Sequence, residues 1–351
     1  MKLFRASALE MQDRERLHAE GDRRQRLVAF RETKRRGSIP FPIEAFCTLA
    51  KANTRERVGT MTAAPSTASG QGAHRAEPGS ASSPLSEARQ PQAEAAITLR
   101  QQGLARLRAG EFAAAIELLT RAVALGPHDP IAQIDLGRAF QGAGRHDEAL
   151  RRFAAARDAL PDDPAPWLNS AVSLMALRET NAALRHASEA CYRAPNRPET
   201  HYTYGQAWLA ANEPRRAEEA FAATLRRAPR MAEAWVSLGV ARYRQDNIGG
   251  AKEAMRSALI AAPGHRAATS NLAAFLHLTG EYEASERLLR DLLARDPDAF
   301  EARLNLAAGL LLEDRSAEAL EVLDAPVPRE QRLLFQHWLL QRALALLQLN
   351  R

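Results

Sequence analysis

The chain has 351 residues, 46% of them hydrophobic, 26% charged and 6% aromatic, a balance that suits close-packed helices and excludes a collagenous or wholly disordered chain. Its two cysteines, Cys47 and Cys191, make neither a metal-ligand spacing nor a disulfide framework, which fits a reduced, cytoplasmic compartment. No apolar run reaches the roughly 18 residues of a membrane span, and no secretory core opens the sequence.

The net charge of +6 comes from residues 1–60, which hold 14 Lys/Arg against 8 Asp/Glu; the rest of the chain holds 34 of each. Within this basic arm, Ala6 to Arg36 reads as an amphipathic helix dense in arginine and interrupted by Gly21. Its Lys34-Arg35-Arg36 run would suit nucleic acid or an acidic membrane surface, but a partly helical or disordered, solvated extension is the expected state, and a nucleic-acid partner is not expected. A translation start at Met61, with residues 1–60 outside the mature chain, stays open. Residues 61–93 are rich in Ser, Gly, Ala and Pro without hydrophobic periodicity and read as a linker.

From residue 94 onward the sequence repeats itself. Pro127, Pro161, Pro195, Pro229, Pro263 and Pro297 are each 34 residues apart. Counting units from Ala96, position eight is Gly103, Gly137, Ala171, Gly205, Gly239, Ala273 and Ala307. Position twenty is Ala115, Ala149, Ala183, Ala217, Ala251, Ser285 and Ala319, again always small. Position twenty-four is always apolar: Leu119, Phe153, Ala187, Phe221, Met255, Leu289 and Leu323. Small residues at positions eight and twenty let two helix axes approach closely, and apolar residues at helical spacing (Trp167, Leu174 and Leu184 in the third unit) fill the space around the contact. Turn formers stand at position fifteen (Gly110, Gly144, Asn212, Asp246, Gly280). Asp129-Pro130 and Asp163-Pro164 place an N-cap before a first-turn proline, and the proline at position thirty-two stops the preceding helix.

This pattern resembles the tetratricopeptide repeat (TPR) family, whose unit is a pair of antiparallel helices. The resemblance spans residues 96–351 and implies an all-α, right-handed superhelical solenoid that presents its first helices on a concave face. Seven units of the 34-residue type are followed by a half unit, 336–351. Asp324-Ala325-Pro326-Val327-Pro328 breaks the seventh unit, which is 36 residues long if Ala343 takes the small eighth position of the next. The sequence then runs through an apolar helix of about Glu330 to Leu349, ending on Leu344, Leu346, Leu347 and Leu349 where a solenoid normally carries a polar cap. Self-association or a downstream domain is expected to cover it.

No metalloprotease helix, phosphate-cradling glycine loop, paired-cysteine zinc motif or serine elbow is present, so the chain reads as non-enzymatic, without cofactor or metal. The histidines occupy differing repeat positions, His146 in a turn, His186 in a second helix and His201 in a first helix, and read as packing or surface residues. Trp167, Trp208 and Trp235 are assigned to the core. In the resemblance, extended peptides bind along the first helices. Position six there is Gln101, Asp135, Asn169, Thr203, Ser237, Asn271 and Asn305. The run from Asp135 to Asn305 is similar to the asparagine ladder in the TPR region of O-linked N-acetylglucosamine transferases, which grips peptide backbone because an amide both donates and accepts. Asn169, Asn271 and Asn305 match that ladder; Asp135, Thr203 and Ser237 depart from it. The basic clamp of chaperone-binding TPR domains is absent: positions two, five and nine are Ile131, Ile134, Arg138, then Ala165, Leu168, Val172, and in the fifth unit Glu233, Val236, Val240. The expected function is a scaffold that binds protein or peptide partners on the concave face. The alternative is the substrate-recruiting or regulatory arm of a larger sulfotransferase or glycosyltransferase.

Overall fold

The computed structural model describes residues 84–325 and 332–349, which fall into two compact units, 84–302 and 303–349. The readings of the basic arm and of most of the linker lie outside the described residues. Helices come in antiparallel pairs. They are α1 (Pro84–Arg108) with α2 (Phe112–Leu125), α3 (Pro130–Gly142) with α4 (His146–Ala159), and α5 (Pro164–Ala176) with α6 (Thr180–Arg193). There follow α7 (Pro198–Ala210) with α8 (Pro214–Arg227), α9 (Ala232–Arg244) with α10 (Ile248–Ala261), and α11 (Arg266–Leu278) with α12 (Tyr282–Arg295). Last come α13 (Phe300–Leu312), α14 (Ser316–Val322) and α15 (Arg332–Leu349). From α3 to α13 the first helices start 34 residues apart, as do the second helices from α2 to α14, so the proline period is the period of the fold.

The caps follow the sequence. Asp129 and Asp163 each accept a 2.9 Å hydrogen bond from the backbone N–H two residues on (Ile131 and Ala165). Such a cap contributes about 1 kcal/mol. Each second helix from α2 to α12 ends one residue before its pre-proline residue. In α2, α4, α6, α8 and α10 that residue has left the helical region, with ψ of 73°, 71°, 68°, 75° and 91°, since the following proline ring disfavours a helical residue before it. Two expectations need adjusting. His146 is the first residue of α4 and not part of the turn. Helix α1 starts at Pro84, inside the stretch read as linker, because Ser86-Glu87-Ala88-Arg89-Gln90 favours helix once the Gly-rich part is past.

The turn within each pair has one form throughout. Position fifteen is left-handed in all seven units, with φ of 75° at Gly110, 75° at Gly144, 63° at Arg178, 59° at Asn212, 62° at Asp246, 81° at Gly280 and 61° at Asp314. The sequence named five of these; Asp314, of the same type as Asp246, was not named, and Arg178 carries no turn signal of its own. Packing across the pair forces them there, at a cost of about 1–2 kcal/mol for an L side chain.

Position eight also has a sharper role than close approach of two axes. A Cβ on Gly137 would lie 2.4 Å from a Phe153 ring carbon, on Gly205 2.6 Å from Phe221, on Gly103 2.6 Å from Leu119 and on Gly239 2.5 Å from Met255. Position eight is thus the seat of position twenty-four. Where the seat is alanine the occupant is alanine or leucine (Ala171 with Ala187, Ala273 with Leu289, Ala307 with Leu323), and both phenylalanines sit over glycine.

Candidate functional site

In the 84–302 unit the first helices α1, α3, α5, α7 and α9 touch one another in succession, whereas each second helix from α2 to α10 lies against the first helices before and after it. First helices therefore form the inner side of the stack. Their position-six residues are Gln101, Asp135, Asn169, Thr203 and Ser237, one per helix; Asn271 holds the same place on α11, and Asn305 in the 303–349 unit. Gln101 of α1 is exposed. Asp135, Thr203, Asn271 and Asn305 keep 6%, 4%, 5% and 8% of their surface, while Asn169 and Ser237 are half-buried.

Two of these side chains, Asp135 and Ser237, lean on the preceding first helix. Asp135 Oδ2 accepts from Arg100 Nε at 3.0 Å, and its other oxygen lies 3.7 Å from Arg138. Ser237 Oγ donates to the Tyr202 hydroxyl at 3.4 Å. Both inter-helix links run from position six to position five of the unit before. Burial pushes the Asp135 carboxyl above the ordinary aspartate value, against the pull of Arg100 and Arg138. Burial likewise raises the Tyr202 phenol, so it stays neutral. Arg100 and Arg138 both turn their charge toward Asp135.

Asn271 differs from its neighbours. Its Nδ2 is buried and has no hydrogen-bond partner. The walls beside position six are apolar and small: Leu168 and Val172 are partly open, while Val236, Val240 and Ala274 retain 8%, 8% and 9%. Among the described residues no three His, Cys, Asp or Glu side chains converge as metal ligands would, and no helix is long and apolar enough to cross a membrane.

Several polar contacts that stitch the units together carry no sequence motif. Gln141 Nε2 donates to the Asn169 carbonyl and to Ser173 Oγ, both at 3.0 Å, and Arg244 donates to the Leu209 carbonyl at 2.8 Å. Position four supplies a second set. Gln133, His201 and Trp235 each bond the carbonyl of the position-thirty-two proline six residues earlier, at 3.1, 2.8 and 2.8 Å. A spacing of six between these positions was present in the sequence, but three different residue types hid it.

Trp167, the position-four residue of the third unit, does not make this bond, and its assignment to the core needs correction. Arg193 donates to the Pro161 carbonyl in its place, and the indole Nε1 is buried without a partner. The ring is half-buried between two guanidinium groups, Arg157 at 4.7 Å and Arg193 at 4.5 Å, with His186 tilted against it at 5.2 Å. Burial first, then the positive charge of Arg157 and Arg185, lowers the His186 pKa to about 4, so the ring is neutral at pH 7.

None of the curated protein sequences is similar to this chain. Among solved structures, a tetratricopeptide repeat protein from Parabacteroides merdae aligns with a TM-score of 0.55 at 14% identity, covering 70% of this chain and 99% of that one. PilF of Pseudomonas aeruginosa aligns with a TM-score of 0.51 at 17% identity, covering 60% and 96%. A chain of the APC/C Cut9–Hcn1 hetero-tetramer aligns with a TM-score of 0.55 at 18% identity over 64% of this chain, which spans only 44% of that partner's length. At such identities the likeness is one of fold. Two tetratricopeptide repeat family models match the sequence directly, one at residues 106–172 and 242–299, the other at 202–266 and 279–329, together more than half of the chain. With the 34-residue register of its helix pairs, this makes the chain a member of the tetratricopeptide repeat family.

Proposed function

We propose that the chain is a non-catalytic interaction scaffold whose first-helix face binds an extended peptide segment of a partner protein, gripping its backbone at position six. The observation that carries this reading is Asn271. A buried amide donor without an acceptor costs about 1–3 kcal/mol, and a protein keeps such a group where something else needs it. With a small turn of its amide, Asn271 could meet a peptide carbonyl. Asn169 and Ser237, half-buried on neighbouring helices, offer further donors and acceptors, and Asn305 offers the same side chain in its own repeat. The apolar walls favour a ligand held by burial and backbone hydrogen bonds over one recognised by its terminal carboxylate. Asp135 is a different case: bound to Arg100 and Arg138, it serves the joint between two units.

The test uses the full chain against an immobilised library of unstructured 12-residue peptides. Peptides captured by the native chain should lose about tenfold or more in affinity to Asn271→Leu, one lost hydrogen bond of about 1.4 kcal/mol. The same substitution should stabilise the free protein, since it removes an unpaired buried amide. Asn169→Ala with Asn305→Ala should weaken binding further. Unchanged peptide affinity in the triple variant, with native circular dichroism, would reject the ladder.

A further inference from the structure

The joint between the second and third units is built unlike the others. Positions seven and twenty-eight share a core across a joint: Leu136 with Leu119 and Val123, and Leu238 with Phe221 and Leu225. Position twenty-eight is Val123, Cys191, Leu225, Leu259 and Leu293 in five units, but Arg157 in the second. Position seven is Leu136, Leu238, Leu272 and Leu306 in four units, but Ser170 in the third. The register thus sets a guanidinium and a hydroxyl where other joints set two aliphatic side chains.

The polar groups gathered there are mostly donors. Ser170 is 1% exposed and its hydroxyl has no partner; the Trp167 indole Nε1, one turn earlier on α5, is also buried without one. Arg157 forms no ion pair among the described residues. Asp158, whose charge it feels, is exposed, and Arg157 Nη1 lies 3.3 and 3.5 Å from the two ring nitrogens of His186. That imidazole, neutral at pH 7, has one lone pair to give and one N–H of its own. Two nearby acceptors are already taken, since Arg193 holds both the Pro161 carbonyl and the Glu189 carboxylate. Among the side chains, one ring nitrogen and the serine oxygen therefore stand against the fork of Arg157, the indole N–H, the serine O–H and the imidazole N–H. Buried donors in such surplus call for an acceptor from outside the chain.

The charge favours the same occupant. Arg157 and Arg185 make the local potential positive enough to help hold His186 neutral, and a bound anion would offset that potential. We propose that this joint, between α4, α5 and α6, is a phosphate site: a phosphate, free or carried on a side chain of a partner protein, is held by Arg157, with Trp167 Nε1 and His186 as further donors. A tetrahedral oxyanion offers acceptors in several directions, which suits donors arriving from three helices, and a guanidinium meets phosphate through two parallel hydrogen bonds. Arg157 and the indole it covers are both half-buried, so the anion reaches the ring by displacing a flexible side chain and not by opening the core.

Calorimetry of the full chain with sodium phosphate at pH 7, against sodium chloride at equal ionic strength, tests the proposal. It is read together with the indole N–H resonance of Trp167, assigned by its loss in Trp167→Phe. The expected result is saturable binding with a dissociation constant of about 1 mM or tighter, and movement of that resonance alone among the four indoles. A short phosphoserine peptide is the second probe. Binding tighter than that of inorganic phosphate supports the proposal with a partner's side chain as the source; weaker or absent peptide binding beside bound phosphate supports it with a free ion. Arg157→Leu restores the residue that Leu225, Leu259 and Leu293 supply at other joints, so this variant should fold and melt no lower than the native chain. Its phosphate affinity should fall about tenfold or more. Arg226→Leu, at an exposed arginine on α8, should bind as the native chain does. Phosphate heats that match those of chloride, an unmoved Trp167 indole, or undiminished affinity in the folded Arg157→Leu variant overturns the proposal.

Discussion

Gly137→Ala tests the seat between positions eight and twenty-four. The added Cβ would lie 2.4, 2.8 and 3.0 Å from three carbons of the Phe153 ring, and that ring is fully buried. Overpacking of this kind costs about 1–3 kcal/mol. Alanine in a helix regains about 1 kcal/mol over glycine, and because rigid ring carbons block the site, a net loss of about 1–2 kcal/mol is expected. Phe153→Leu alone leaves a void and should cost about 1–2 kcal/mol. Together the two changes recreate the alanine–leucine pair found at Ala273 with Leu289 and at Ala307 with Leu323. The double variant should therefore lose only about 1 kcal/mol, a favourable coupling of roughly 1–2 kcal/mol between residues that touch. Urea denaturation followed by circular dichroism gives the overall change. Because repeat arrays need not unfold in one step, amide exchange in α3 and α4 gives the local one. Strict additivity, with the double variant as weak as the sum of the singles, would refute the complementary-seat argument.

Two further outcomes follow from the same structure. Arg178→Gly removes a side chain from a left-handed turn at φ 63° and should raise stability by about 0.5–1 kcal/mol, the relief of strain outweighing the extra chain entropy; a lowered urea midpoint would contradict it. His186 is held neutral by burial and by Arg157, with its pKa lowered from 6.5 to about 4. The unfolded chain takes up that proton first, so the stabilisation is whole above pH 6.5 and is lost as pH falls from 6.5 toward 4. For a half-exposed ring this amounts to about 1–2 kcal/mol. His186→Gln should flatten that part of the stability profile, and an unchanged acid limb between pH 7 and 4.5 would show that other groups carry it.

The fold was legible because its constraints recur. Prolines at position thirty-two recur six times and small residues at eight and twenty seven times, and each repetition corrects for the variants in the others. Position fifteen shows how far this goes: Arg178 would not be read as a turn residue alone, yet the register places it at the left-handed site of its unit. The candidate site was less legible because it depends on neighbours 35 residues away. Position six was recognisable as polar, but that Asp135 is consumed by Arg100, that Ser237 reaches Tyr202 and that Asn271 has no acceptor are facts of inter-helix geometry. Trp167 misled for the same reason. An indole at a core register position looks apolar in sequence, and nothing local announces that Arg193 will take the carbonyl its neighbours' counterparts use, or that Arg157 will also lie over the ring.

The two surplus residues of the seventh unit show how such a chain changes length. They leave the alanine seat at Ala307, the left-handed turn at Asp314 and the joint from Gln348 to Leu311 in their usual register. Since each unit answers only to the next, an insertion that falls between units is absorbed where it occurs and is not passed along the stack. Such an architecture can therefore lose, gain or stretch a unit as a module, changing the length of the first-helix face without reopening the packing of the rest.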